Sequence, residues 1–327
     1  MTRRHFGIGV LAVSLFVIGV VFHSRENLSH PTITLLGSNK NQQMCVAVSS
    51  RNMVAAGDNR GTINIWGLSG DRPEGNVHFG SSVECLAFAP DGKTLAAGRG
   101  DGVVSIVDVE TRTESSILSI GDFPDRLAYT PDGRKLAVTF GCGRVGLWDV
   151  GNGKPLAVSN GNIRQYVTAL VVRQQGDLMV TGTFDGRLTV WTLPELKEQV
   201  VQYTDSVASV AFSPDGTTLA SGGHNGVITL WSLDGFRQQR RYRAHDGFLA
   251  CLAFSPDGRF LASAGTGKRV RIFTATTGEL MCEFEADKHA SAEFLAFTRD
   301  SNTLVLASYV GYAGYVKTVD MRTENVP

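Results

Sequence analysis

Two glycine-lysine segments, seven histidines and five cysteines are the residues of this chain whose types and spacing could do chemistry. Gly92-Lys93-Thr94 has the glycine, lysine and hydroxyl with which a phosphate-binding loop ends, and Gly151-Asn152-Gly153-Lys154 offers a similar set. Such a loop needs an earlier glycine and a following helix whose free N–H groups face the anion. Ala87 stands where the first segment needs that glycine, and Pro155 follows the second lysine. Both segments are therefore expected in hairpin turns. The histidines are dispersed, with His5, His23 and His30 close to the N-terminus, and no GxSxG, HExxH or EF-hand pattern occurs. Cysteines 45, 85, 142, 251 and 282 form no CxxC pair, so thiol redox chemistry and zinc are not expected. No catalytic residue, cofactor or metal ligand is assigned.

Charge narrows the partners. Thirty-one lysines and arginines balance 31 aspartates and glutamates, so no global field draws nucleic acid or an anionic membrane surface, and nucleic acid is not expected as a partner. A chain of 327 residues, 43% hydrophobic, is long enough for a full core. Its 37 glycines exceed the usual share of roughly 7%, which calls for many tight turns.

Residues 6–22 are uncharged and apolar and follow Arg3 and Arg4. As a helix they would reach roughly 26 Å, the short end of a bilayer core of about 30 Å. Residues 1–30 are accordingly expected to be a targeting segment with one N-terminal hydrophobic helix, a signal anchor that leaves the N-terminus cytoplasmic and the rest extracytoplasmic. Cleavage would instead give a secreted or periplasmic product. Thr2-Arg3-Arg4-His5-Phe6 resembles a twin-arginine export motif.

From residue 43 the chain repeats itself. Val83 to Gly92, Arg126 to Gly133, Val207 to Gly216 and Leu249 to Gly258 are variants of Leu-Ala-Phe-Ser-Pro-Asp-Gly. A strand of small residues, a glycine turn and a strand with a bulky residue near its end follow each copy. Those bulky residues are Trp66, Val107, Trp148, Trp191, Trp231, Phe273 and Val319, the first six spaced 41, 41, 43, 40 and 42 apart. Alternating β-branched and aromatic residues between glycine turns make short antiparallel strands. One such sheet cannot bury both of its faces, and radial stacking of the units can.

The Pro-Asp-Gly turns, the period of about 42 and the terminal Trp or Trp148-Asp149 resemble the WD40 repeat family over residues 31–327, with turns in the style of bacterial members. The resemblance implies an all-β, seven-bladed propeller of four-stranded antiparallel blades, with residues 31–37 closing the last blade. It also implies a buried tetrad of aspartate, histidine, serine or threonine, and tryptophan in each blade. Here the tetrad is fragmentary: Asp185 and Trp191 in blade four, Trp231 in blade five, His245 and Ser263 in blade six, and Trp66 and Trp148 in blades one and three. His245 is expected to make a structural hydrogen bond. Cys45, Cys85 and Cys251 share one register and are expected to be packing residues, rather than members of a disulfide.

In similar proteins the docking face combines the turns between second and third strands with the connections between blades. Here it would carry Arg60, Arg99, Arg144, Arg187, Lys268 and Arg269 from turns, and Arg126, Arg164, Tyr166 and Phe248 from connections, with interspersed aspartates. Arginine and aromatic side chains are favoured hot spots, which would suit an acidic or polar protein partner. The expected function is a non-catalytic scaffold for protein partners. The alternatives are an exported propeller enzyme of the lactonase or quinoprotein type and a module that binds cell-envelope glycans or small ligands.

Overall fold

The computed structural model describes residues 33–39, 43–67, 74–141, 143–159, 166–286, 292–310 and 313–321. Residues 6–22, expected as a hydrophobic helix, and Arg164 lie outside them.

The first strand, β1 (Ile33–Asn39), belongs to the last blade. Blade one follows with β2 (Gln43–Val48), β3 (Met53–Asp58), β4 (Thr62–Gly67) and β5 (Gly75–His78). Blade two contains β6 (Val83–Phe88), β7 (Thr94–Arg99), β8 (Val103–Asp108) and β9 (Thr113–Ser119). Blade three contains β10 (Pro124–Tyr129), β11 (Lys135–Phe140), β12 (Arg144–Asp149) and β13 (Pro155–Val158). Blade four contains β14 (Val167–Val172), β15 (Leu178–Thr183), β16 (Arg187–Thr192) and β17 (Lys197–Tyr203). Blade five contains β18 (Ser209–Phe212), β19 (Thr218–Gly222), β20 (Val227–Ser232) and β21 (Arg237–Arg243). Blade six contains β22 (Leu249–Phe254), β23 (Phe260–Gly265), β24 (Arg269–Thr274) and β25 (Leu280–Glu285). In blade seven β26 (Ala292–Phe297), β27 (Thr303–Val310) and β28 (Ala313–Asp320) are joined by β1, which pairs antiparallel with β28. All seven sheets have four antiparallel strands in sequential order except for that closing strand. The ring thus satisfies an edge of its last sheet with its first strand.

Alternation along the strands sends successive side chains to the two flanking blades. On β12, Leu147 packs toward blade four with Met179 and Trp191, while Trp148 packs toward blade two with Ile106 and Leu118. Seven apolar clusters result, one at each blade-to-blade interface. Fully buried members such as Leu95, Leu136, Leu219 and Leu261 each contribute about 1.5–3 kcal/mol.

The turns between first and second strands, on what we call the lower face, follow one plan. Gly133, Gly216 and Gly258 each donate their N–H to the carbonyl three residues back, at 2.8 Å. The aspartate before each glycine accepts from a hydroxyl, Thr130 to Asp132 and Ser255 to Asp257 at 2.6 Å, and from the N–H two residues ahead. These hydroxyl bonds hold the Asp132, Asp215 and Asp300 carboxyls below their ordinary range. Gly92 occupies the same turn in blade two, which explains why Gly92-Lys93-Thr94 faces no helix N-terminus.

Candidate docking face

The opposite, upper face is built, in blades one, two, four, five and six, by backbone contact between the second-to-third-strand turn and the connection leaving the same blade. Thr204 N donates to Gly186 O at 2.9 Å, and Phe79, Ala244 and Ala286 donate to Gly61, Gly226 and Lys268 at 2.8 Å. The approach is so close that a Cβ on Gly186 would stand 1.8 Å from Thr204 O, at a φ of +89°. Turns and connections therefore form a stiff platform, and the side chains projecting from it differ from blade to blade.

The basic residues assigned to this face are largely engaged within the chain. Arg99 ends β7 and Arg144, Arg187 and Arg269 begin β12, β16 and β24, where neighbouring strands and connections present carboxylates. Arg99 pairs with Asp101 and, at 3.5 Å, with Glu114, donates to Ser105 Oγ, and covers the Phe79 ring; its side chain is only 15% exposed. Arg144 pairs with Asp122 at 2.7 Å and lies over Phe140. Arg187 pairs with Glu198 at 2.9 Å, and Arg269 pairs with Glu283. Arg126 lies within β10 rather than on the connection; its Nε donates to Thr168 O of blade four at 3.1 Å, tying two innermost strands together. Lys268 sits in its turn at a φ of +64°. Arg60 is exposed on the β3–β4 turn, and among the described residues no carboxylate lies within ion-pair distance of it. Its turn is fixed instead by buried Asp58, whose Oδ1 accepts from the N–H groups of Arg60 and Thr62.

The aromatic residues are more available. Tyr166 is 67% exposed just ahead of β14. Phe248, just ahead of β22, stacks on His224 at 4.2 Å and 26°, and His224 meets Phe184 at 4.3 Å. This row crosses blades four, five and six, and Phe184 is 45% exposed. Partial burial lowers the His224 pKa, which favours a neutral ring between its neighbours. Phe184 and His224 were not among the expected residues. Their signal was available, because each follows its second strand at the same register, 40 positions apart. Phe123 and Tyr203 are also exposed at ends of connections.

Beneath the platform the fragments of the tetrad hold the blades. Trp191 Nε1 donates to Thr181 Oγ1 and Trp231 Nε1 to Ser221 Oγ, each at 2.9 Å. His245 Nε2 lies 2.8 Å from Ser263 Oγ, and burial drives its pKa down to about 4. In blade one Ala56 replaces the hydroxyl, and in blade three the Trp148 ring lies across Gly146; among the described residues both indole N–H groups lack a partner. Asp149 caps its own turn by accepting from Asn152 N at 2.9 Å, and Asp185 accepts from Thr183 Oγ1.

At the start of the innermost strands, bulged positions place Glu84, Asp125 and Glu293 in equivalent registers. Burial lifts Asp125 to about 7, opposed by Arg126 and reinforced by Asp122 and Glu84, and burial also raises Glu293. Among the described residues no group of three or more histidine, cysteine or acidic side chains is placed to hold a metal ion. Cys45, Cys85 and Cys251 are free thiols directed at carbonyls of the next blade, Cys85 toward Pro124 O at 3.6 Å; burial raises the Cys85 thiol to about 12.

Comparison with known proteins agrees with this architecture. The family model described as WD domain, G-beta repeat, matches residues 153–192, 196–232 and 236–274, and the model of the anaphase-promoting complex subunit 4 WD40 domain matches residues 41–123. The chain is 31% identical over 88 residues to NET1-associated nuclear protein 1 of Saccharomyces cerevisiae, covering 27% of this chain and 10% of that protein. It is 31% identical over 84 residues to a U3 small nucleolar RNA-associated protein 15 homolog of Gallus gallus, covering 25% and 16%. Over 74 residues it is 32% identical to small ribosomal subunit protein RACK1 of Neurospora crassa, covering 22% and 23%. The matched stretches thus span less than a quarter of these relatives. Two expectations are corrected. The relatives are eukaryotic, so the bacterial style of the turns finds no support in them. Their names are nuclear, nucleolar and ribosomal, which overturns the membrane-anchored, extracytoplasmic placement. That placement rested on the hydropathy of residues 6–22 and on Arg3 and Arg4 ahead of them, and among the described residues no helix is long and apolar enough to cross a membrane. With the repeat period, the seven four-stranded blades and the two family models in agreement, the chain belongs to the WD40 repeat family.

Proposed function

We propose that this chain is a non-catalytic scaffold that docks a protein partner on its upper face, with Tyr166, Phe184, Phe248 and Arg60 as anchors. The observation that carries the reading is the Phe184, His224 and Phe248 row, which leaves aromatic surface accessible on a backbone-locked platform. Rigid aromatic side chains bury large areas at low entropic cost, and an exposed arginine elsewhere on the same face, Arg60 on the blade-one turn, adds directional hydrogen bonds to polar or acidic groups. Arg99, Arg144, Arg187 and Arg269 serve mainly to position strands and connections, since their charges are already matched. The relatives' names describe association with NET1, with U3 small nucleolar RNA and with the small ribosomal subunit, so a partner within a ribonucleoprotein is compatible with this reading. The expectation that nucleic acid plays no part is dropped.

The test is affinity capture from source cells with the tagged chain and with an Arg60→Glu, Phe184→Ala, Phe248→Ala variant, recovered proteins being identified by mass spectrometry. A partner retained by the wild type and lost from the variant is the expected result. Equal recovery by both would remove this face from consideration.

A further inference from the structure

In blades two to seven the residue after the third strand donates its N–H to the first-to-second-strand turn of its own blade. Val109, Val150, Leu193, Leu233, Ala275 and Met321 make this bond at 2.7–3.0 Å. Five of these six side chains fill space against the preceding blade: Val109 in the cluster with blade one, Val150 with blade two, Leu193 with blade three, Leu233 with blade four and Met321 with blade six. Blade six has Ala275 there, and among the described residues the cluster between blades five and six contains no counterpart of those aliphatic groups. A missing side chain can be offset by collapse of its neighbours. Here the neighbours stay apart. A Cβ on Gly258 would stand 3.9 Å from Pro214 Cδ, against 3.6 Å and 3.4 Å at the equivalent seams, where Gly133 meets Pro90 and Gly176 meets Pro131.

A groove of about 800 Å³ results between blades five and six. Its floor is apolar, formed by Leu230, Phe254, Pro214 and Ala275, while Gln239 and Thr276 offer an amide and a hydroxyl. Its charges balance. Among the described residues Arg240 has no carboxylate, and Asp215 no basic side chain, within 4.0 Å, whereas Asp257 is paired with Arg259 at 2.7 Å. Asp215 is turned into its own loop, where it accepts from Ser213 Oγ at 2.5 Å and from Thr217 N at 3.0 Å. One free charge of each sign favours neither an anion nor a cation.

We infer that this groove binds a small uncharged molecule that carries one aliphatic group and neutral hydrogen-bonding groups. The five sister positions specify the aliphatic group, because a valine, leucine or methionine side chain completes the same seam in the other blades. Seating such a group removes the apolar floor from water. The Gln239 amide and the Thr276 hydroxyl each donate and accept, so they suit amide or hydroxyl groups on the ligand. A neutral molecule also avoids desolvating a charge beside one of like sign. The volume falls within the roughly 300–1,000 Å³ of small-molecule sites.

The test is a ligand-observed NMR titration of the full chain with N-acetyl-leucinamide, whose side chain matches Leu193 and Leu233. For so small a molecule the expected Kd is on the order of 1 mM. N-acetyl-alaninamide lacks the aliphatic group and should bind about tenfold or more weakly. Ala275→Val should weaken the binding of N-acetyl-leucinamide and Ala275→Leu should abolish it, with no charge and no rim group altered. Both side chains occur at sister positions, so the variants are expected to unfold at or above the wild-type midpoint. Should Ala275→Leu fail to fold, the weakening by Ala275→Val decides. Equal binding by wild type and Ala275→Leu, or no binding to the wild type, would overturn the assignment and leave the groove as a packing gap. N-acetyl-leucinate and leucinamide carry one charge of either sign, and binding of either about tenfold tighter than the neutral amide would overturn it in favour of a charged ligand. None of these outcomes depends on the upper face, which every variant leaves unchanged.

Discussion

The two faces of this propeller are built by opposite rules. On the lower face blades three, five, six and seven repeat one turn, in which a hydroxyl and the backbone N–H two residues ahead surround an aspartate. On the upper face the backbone is just as regular, but each blade carries different side chains: Arg60 on blade one, the Arg144 and Asp122 pair on blade three, Phe184 on four, His224 on five and Phe248 before six. Repetition marks what the fold needs, and variation on a stiff platform marks what recognition can use.

That contrast can be broken at its glycines, with the largest expected effect on the upper face. Gly186→Ala places a Cβ 1.8 Å from Thr204 O and should cost about 3 kcal/mol or more in urea unfolding. Gly133→Ala, in a lower turn where the nearest atom is 3.6 Å away, should cost only the left-handed penalty of about 1–2 kcal/mol.

The pH response is the next largest effect. Unfolded histidine titrates near 6.5 and folded His245 near 4, so between these values the unfolded state binds more protons. Its contribution is present above pH 6.5 and is lost as pH falls toward 4. Asp125 acts in the other direction: raised to about 7, it weakens the fold as pH climbs from 4 to 7. Asp125→Asn is therefore expected to raise the unfolding midpoint at pH 8 but not at pH 4. His245→Gln should flatten the acid side of the stability profile, and an unchanged slope below pH 6 would contradict the burial assigned to His245.

Smaller still is the difference between two tryptophans. Trp231→Phe strands the Ser221 hydroxyl, whereas Trp148→Phe removes an indole N–H that already lacks a partner, so the first should cost about 1 kcal/mol more than the second. Smallest of all, Tyr166→Ala and Phe184→Ala should each shift stability by no more than about 0.5–1 kcal/mol, because both side chains are exposed. Their effect belongs to binding.

Much of the fold was legible because its causes are local. Pro-Asp-Gly turns, the period of about 42 and strand alternation fix blade number and strand order without reference to distant residues. The site was less legible because its contacts join residues far apart in the chain. Arg187 finds Glu198 across a hairpin, and Arg144 finds Asp122 from a connection 22 residues upstream. A list of basic residues thus reads as a free patch when most of it is neutralised. The aromatic row depends on three blades standing side by side, which the repeat phase indicates for Phe184 and His224 but not for Phe248, which reaches the row from a connection. The acidic register of Glu84, Asp125 and Glu293 became visible only once the bulges were known.

The most direct test of the upper face as the docking surface is site-specific photo-crosslinking in source cells. A photoreactive phenylalanine analogue would replace Phe184 or Tyr166 on that face and, in a third variant, Arg134 on the lower turns. The account predicts one common protein adduct from positions 184 and 166 and none from 134. An adduct from 134 with none from 184 or 166 would contradict it.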